Sequence, residues 1–368
     1  MSHPVGRHTL RELTETEVRV LQALLAEDRE GERVRLARTG LARSTYHAAR
    51  RRAYEEGWIR DRYLPDPVAF DYGWARLLLA RPYADRQEEL VRRLSGNEGT
   101  VVLWQSPQSL FCVSLERGGP PPAPSRSSSV PEGSAQELTE LQVDLKGRGL
   151  PVYFDYEGLL AHLGEQTGTV SYPRSLSLSG RPGAPRVPVV RSPSVWNAAY
   201  QLVSSPRNAE ERGRPSHRLG PPSLPRSQRK LLELGCVRRR VLPDPARLPP
   251  FHGRRADELV FVHGVWRGAS KGETLLRTLT AECRVYPFLY AFTDERLLLA
   301  ALGQTPGVGE GELAGPSRRP VLPTLRQCLE NIVVTRERVE SILARVDHRY
   351  DPLLRSGPPR EAPARASN

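Results

Sequence analysis

"WIRDRYLPDP" (residues 58–67) returns 178 positions later as "CVRRRVLPDP" (residues 236–245), and the reading of that echo decides the fold. Six of the ten positions are identical: Arg60/Arg238, Arg62/Arg240, Leu64/Leu242, Pro65/Pro243, Asp66/Asp244 and Pro67/Pro245. A glycine precedes each copy, Gly57 and Gly235. Upstream of the first copy, Thr14 followed by Glu17 forms a capping box, and Val18, Leu21, Leu24 and Leu25 recur at helical spacing, which predicts a helix over 14–27. A short helix is expected at 31–38, burying Val34 and Ala37, then a turn re-capped by Ser44. A third helix over 45–56 turns Ala49 and Ala53 inward and stops at Gly57. The decapeptide then reads as strand, turn and return, so the order is that of a winged helix-turn-helix.

The echo extends well beyond ten residues. At the same offset Val18, Leu21, Leu24 and Leu25 fall on Trp196, Ala199, Leu202 and Val203 of "PSVWNAAYQLVSS", and the third helix falls on "PRSQRKLLELG". The second helix has no equal: proline and glycine in "SPRNAEERGRPSHRLGPPSLP" break it, so the second copy is degenerate. After each copy the period changes. In the first half "WARLLLARP", "TVVLWQ" and "LFCVSL" read as strands around an amphipathic helix, "DRQEELVRRLSG" (85–96). "AQELTELQVDLKGRG" then reads as a helix and "LPVYFDY" as a strand, giving β-α-β-β-α-β, the ferredoxin-like order. The second half repeats it with "ELVFVHGVW", "KGETLLRTLT", "CRVYPFLYAF", "RLLLAALG", "LPTLRQCLE" and "NIVV". Short closing helices are expected at "EGLLAHLG" and "RERVESILARV".

The expected fold is therefore α+β, a tandem repeat of winged helix-turn-helix and ferredoxin-like domain with a degenerate second copy. Its parts are a winged helix at 10–68 and a ferredoxin-like domain at 72–166 with a Pro/Ser-rich insertion at 117–135. A linker at 167–193 and a degenerate winged helix at 194–246 follow. A second ferredoxin-like domain spans 256–348 with a Gly/Pro loop at 303–320, and a disordered tail is expected at 349–368.

Composition narrows the partners. The apolar share of 38% lies below the usual ~45–50%, and 34 prolines with 30 glycines imply long connecting segments. A net charge of +12 favours polyanions, and nearly all of the base is arginine, lysine standing only at 146, 230 and 271. Cys112, Cys236, Cys283 and Cys328 are scattered without zinc or disulfide spacing, and the histidines form no H-x-x-H pair, so no metal and no cofactor are expected. "GASKGET" around Lys271 lacks the phosphate-loop spacing. His263 alternates within an apolar strand and reads as a satisfied core or edge histidine. No apolar run is long enough for a bilayer and no secretory leader is seen, so the expected location is cytoplasmic and nucleoid-associated, with no membrane partner.

The strongest site signal is the third helix with the strand after it. Residues 33–62 hold nine arginines against three acids, Glu55, Glu56 and Asp61. Arg43, Ser44, Thr45, His47, Arg50, Arg51 and Arg52 are the candidates for reading base edges in a major groove, where arginine to guanine is the commonest pairing. Arg60 and Arg62 on the wing, with Arg238 and Arg240 in the second copy, are the candidates for phosphate contact.

These segments resemble the leucine-responsive/AsnC family of prokaryotic transcription regulators. The match runs from "LTETEVRVLQALLAEDREGERVRLARTGLARSTYHAARRRAYEEGWIRDRYLPDP" through "WARLLLARPYADRQEELVRRLSGNEGTVVLWQSPQSLFCVSL". The resemblance implies a sequence-specific double-stranded DNA-binding regulator, not an enzyme, paired through its sheets as a homodimer or an intrachain pseudo-dimer. It also implies a small-molecule effector, for which no residue is assigned: the turn beside the family's effector site is "SPQS" here and "FTDE" in the second copy. The duplicated unit resembles, as an alternative, the fused siroheme decarboxylases. Those carry a His-Asn-Tyr-like segment on the second strand of the C-terminal domain, whereas "TVVLWQSPQS" and "CRVYPFLYAF" contain no histidine. A winged-helix adaptor that binds protein is the third reading.

Overall fold

The computed structural model describes residues 11–25, 32–117, 130–146 without 132, 152–154, 187–204, 225–251 without 245, 256–267, 275 and 279, 285–304 without 294, and 321–358 without 356. It opens with three helices, α1 (Glu15–Leu25), α2 (Glu32–Thr39) and α3 (Arg43–Glu55). The capping box forms: the Glu17 amide donates to Thr14 Oγ1 at 3.2 Å and the Thr14 amide to Glu17 Oε2 at 2.9 Å. α3 begins after Ala42 with no side-chain cap, so Ser44 is inside the helix rather than at its head. α2 turns Arg35 inward and leaves Val34 on the surface, the reverse of the apolar pattern.

Strand β1 (Ile59–Pro65) follows α3, and its counterpart β7 (Val237–Pro243) follows α5 (Pro193–Ser204) and α6 (Arg226–Glu233). Gly57 and Gly235 both take left-handed φ, +68° and +72°, which turns each helix into its strand. The expected two-stranded wing does not form from one copy's own return strand. Instead β1 and β7 pair with each other, antiparallel, with Arg62 opposite Arg240, Ile59 opposite Pro243 and Pro65 opposite Val237. The pairing maps onto itself when the copies are exchanged, so a pseudo-two-fold axis runs through the Arg62/Arg240 pair. The LPDP segments complete the joint. The Asp66 amide donates to the Cys236 carbonyl and the Asp244 amide to the Trp58 carbonyl, both at 2.8 Å. Each aspartate then accepts from the amide two residues on, Val68 at 3.0 Å and Ala246 at 3.1 Å.

Beyond the joint, the first half builds β2 (Tyr72–Pro82), α4 (Gln87–Gly96), β3 (Thr100–Gln105), β4 (Leu110–Arg117), β5 (Ala135–Asp144) and β6 (Val152–Phe154). The second half builds β8 (Ala256–Trp266), β9 (Val285–Phe292), β10 (Arg296–Gln304), α7 (Val321–Leu325), β11 (Leu329–Arg338) and β12 (Leu343–Val346), followed by α8 (Asp351–Arg355). Two five-stranded antiparallel sheets result, β12-β3-β4-β2-β5 and β11-β8-β10-β9-β6. Within each, four strands keep the ferredoxin-like order, and the fifth comes from the other half: β12 pairs with β3, and β6 with β9. The fold is α+β, and the halves hold each other by an exchanged edge strand.

The sheets face one another through an aromatic core, with the Phe111 and Phe261 rings stacked at 5.0 Å and Trp104 5.8 Å from Phe288. Their far faces are covered separately. Leu90, Val91 and Leu94 of α4 pack on Leu78, Leu103 and Cys112, and Val130, at the end of the predicted insertion, is buried with them. Leu275, Leu279 and Leu325 pack on Val260, Val262, Leu297 and Leu299. Leu275 and Leu279, inside the predicted "KGETLLRTLT" helix, are helical and buried.

Four sequence expectations are corrected. The helix predicted over "AQELTELQVDLKGRG" is strand β5, because Leu141 and Val143 alternate onto the core and β2 would otherwise present an unpaired edge. "RERVESILARV" is not a helix: it finishes β11, makes a turn of 3-10 helix at Val339–Ser341 and enters β12. The wing is a ribbon shared by both copies. The tail expected to be disordered at 349–368 is ordered through α8, whose carbonyls are clasped. Tyr72 Oη donates to Leu353 O at 2.8 Å, Trp196 Nε1 to Leu354 O at 2.6 Å, and Arg117 Nη2 to Gly357 O at 2.9 Å. The Arg117 guanidinium also lies over the Tyr72 and Trp196 rings at 4.8 and 5.2 Å. "EGLLAHLG", most of the 117–135 insertion, the 167–186 part of the linker and the abnormal stretch before α6 lie outside the described residues. Among the described residues no helix is long and apolar enough to cross a membrane.

Candidate functional site

Three places gather functional chemistry: helix α3, the ribbon on the pseudo-axis, and the face between the sheets. On α3 the arginines divide. Arg50 Nη1 reaches Glu32 Oε1 at 2.6 Å, and Arg52 Nη1 reaches Glu17 Oε1 at 3.1 Å. Burial alone would raise the Glu17 carboxyl, but hydrogen bonds from Thr14 and Arg52 and the field of Arg11 outweigh it, and its pKa lies below the ordinary value. Arg43 Nε donates to His47 Nε2 at 3.4 Å, and His47 Nδ1 lies 3.6 Å from Glu32. Arg43, Ser44, Thr45 and Arg51 are exposed, and Arg51 has no ion pair among the described residues.

The ribbon places the wing candidates on one face of a two-stranded sheet, since directly opposed residues share a face. Arg60, Arg62, Arg238 and Arg240 stand together there with Leu64 and Leu242. Arg60 makes an ion pair with Asp347, which follows β12. On the other face Arg239 Nη2 meets Asp61 Oδ2 at 2.6 Å. Beside Asp347 lies His348, buried and in the left-handed region at φ +45°. Burial, opposed by Asp347 and reinforced by Arg60 and Arg62, holds its imidazole down to about 4. The structure therefore brings the four wing arginines together at a joint that also holds a neutral histidine.

The third place holds His263, which the sequence alone presents as a core or edge histidine. On β8, Leu259 and Phe261 point into the core between the sheets, and His263 shares their side of the strand. On β10, Leu298 and Ala300 point the same way, and Arg296 shares that side. His263 pairs with Leu298 across the ladder, one step along the face from Arg296 opposite Val265. His263 Nε2 is buried without a hydrogen-bond partner among the described residues, so the satisfied core histidine expected from the sequence is corrected. Burial, and next the charge of Arg296, push its pKa below 6.5, so the ring is neutral at neutral pH. A buried nitrogen that can carry a proton, beside a cation, fits a carboxylate or phosphate held by Arg296. The signal was present in the repeat: β2 has Leu79 where β8 has His263.

No protein-family model matches the chain, and no curated protein sequence matches it significantly. Among solved structures, the siroheme decarboxylase NirDL in co-complex with an iron-uroporphyrin III analogue aligns over 93% of this chain and 98% of its own, at 12% identity and a TM-score of 0.40. A second structure of siroheme decarboxylase NirDL covers 93% of this chain and 97% of its own, at 11% identity and a TM-score of 0.36. Both are structures of an enzyme, which stands against the expectation that the chain is not one. That expectation rested on architecture, and one fold carries unrelated functions.

Proposed function

We propose that the chain is an enzyme that decarboxylates an anionic tetrapyrrole of the siroheme class. The observation that carries the reading is His263, whose buried, unpartnered Nε2 faces the core between the sheets with Arg296 beside it. The substrate class comes from the resemblance of the duplicated architecture to the fused siroheme decarboxylases, and a net charge of +12 suits a polycarboxylate. Arg296 would hold a substrate carboxylate. A carboxylate drawn beside His263 favours its protonated form, against the burial and the Arg296 charge that lower its pKa. The carbon–carbon bond to the carboxylate breaks, carbon dioxide leaves, and its electron pair stays on the methylene carbon. His263 delivers the proton to that carbon, leaving a methyl group. Anaerobic incubation with siroheme followed by mass spectrometry tests this: loss of carbon dioxide from the substrate is expected, and unchanged siroheme overturns it.

A second reading, a double-stranded DNA regulator, is favoured by the exposure of Arg43, Ser44, Thr45, Arg51 and Arg52 along α3. Mobility shift against salt tests it. About six arginine–phosphate contacts would cost roughly 10³-fold in affinity between 50 and 200 mM salt, and binding indifferent to salt would remove the reading.

A further inference from the structure

The two sheets share one strand order, but the residues at the His263 position and its surroundings differ. β2 and β8 have equal lengths, so Leu79 stands where His263 does, and both pair at that level, Leu79 with Phe111 and His263 with Leu298. Two residues before each of those partners lie Ser109 and Arg296. β5 and β11 also have equal lengths, so Val143 in the first sheet corresponds to Glu337 in the second.

These differences reverse the chemistry. Around Leu79 there is no imidazole on β2, and the guanidinium is replaced by a buried hydroxyl. Ser109 Oγ donates to Glu337 Oε1 at 2.7 Å, so a strand of the opposite sheet brings a carboxylate to this place. The serine is fixed from its other side by the turn, its amide donating to Ser106 Oγ at 2.8 Å and the two hydroxyls lying 3.0 Å apart. At the His263 end the residue corresponding to Glu337 is the buried, apolar Val143. A carboxylate ligand entering beside Leu79 would meet a like charge already hydrogen-bonded, and a hydroxyl, Ser109, where the second sheet has the Arg296 guanidinium.

We propose that the chain holds one anion site, not two, and that Ser109 with Glu337 closes the pseudo-symmetric position against carboxylate ligands. This rests on the decarboxylase reading of His263 and Arg296. It makes the duplicated chain functionally one-sided: one half supplies the site and the other supplies the surface that completes it.

Calorimetric titration of the full chain with iron-uroporphyrin III, alongside Arg296→Gln and Ser109→Ala, tests it, with thermal melts confirming that each variant folds. One equivalent bound per chain is expected, weakened at least tenfold by Arg296→Gln and kept within twofold by Ser109→Ala. Two equivalents per chain, or one equivalent that Ser109→Ala removes and Arg296→Gln spares, overturns the single-site proposal while leaving a tetrapyrrole-binding protein. No binding by the wild-type chain overturns the decarboxylase reading and the proposal with it.

Discussion

The two halves agree at their joint and disagree between their sheets. At the joint, Arg60, Arg62, Leu64, Pro65, Asp66 and Pro67 recur unchanged in the second copy and do one job twice: β1 pairs with β7, and each aspartate ties its strand to the other copy's backbone. Between the sheets, His263, Arg296 and Glu337 stand where the first half has Leu79, Ser109 and Val143. Identity in a duplicated chain therefore marks where the halves must fit each other, because an interface on a pseudo-two-fold axis uses the same residues from both sides. Difference marks where only one half needs chemistry. The echo that suggested a nucleic-acid wing belongs to the first kind.

The comparison is sharpened first by activity. His263→Gln should lower siroheme turnover by roughly 10²–10⁴-fold, the usual worth of a positioned general acid. Leu79→Ala, its counterpart, should cost stability through the cavity it leaves but keep turnover per folded molecule. Equal losses at both positions would erase the distinction between the halves.

The joint is tested by acid. His348 has a folded pKa of about 4, below its ordinary 6.5, so the unfolded chain binds the proton first as pH falls. Stability is thus complete above about pH 6.5 and is lost progressively down to about 4, by about 3 kcal/mol at most. His348→Asn keeps a residue tolerant of the left-handed backbone and should flatten that loss in melting curves recorded from pH 7 to 5. An unaltered pH profile in the variant would show that the axis histidine does not couple to folding.

A smaller effect is expected at the C-terminal clasp. Arg117→Ala removes the charged donor to the Leu353 and Gly357 carbonyls and should cost about 2 kcal/mol in denaturant unfolding. The smallest belongs to Arg51, exposed and without an ion pair among the described residues: Arg51→Ala should shift stability by less than about 0.5 kcal/mol. On the decarboxylase account it also leaves turnover intact, whereas a fall in duplex DNA affinity would favour the regulator.

Much of the architecture could be read from local patterns. The Thr14–Glu17 box, the glycines after α3 and α6 and the LPDP turns each specify their own backbone, and the repeat set the order of the elements. The glutamates and leucines of β5 suit a helix, while its strand conformation is fixed by the open edge of β2. The exchange of β6 and β12 leaves no local trace, since an edge strand is the same sequence whichever sheet it joins. The DNA-facing candidates rest on charge, and charge does not show that Arg50 and Arg52 are held by Glu32 and Glu17 or that the wing arginines meet at an axis. His263 reads from sequence as a core or edge histidine because its neighbours on the strand are apolar. Only the fold places Arg296 near it and leaves its Nε2 without a partner.

The most direct measurement is siroheme turnover in deuterated water, comparing the wild-type chain with His263→Gln. A proton delivered by His263 predicts one deuterium in each methyl group formed by the wild-type chain and near-complete loss of product in the variant. Unconverted siroheme, a methyl group free of deuterium, or equal rates in the two proteins would contradict the account.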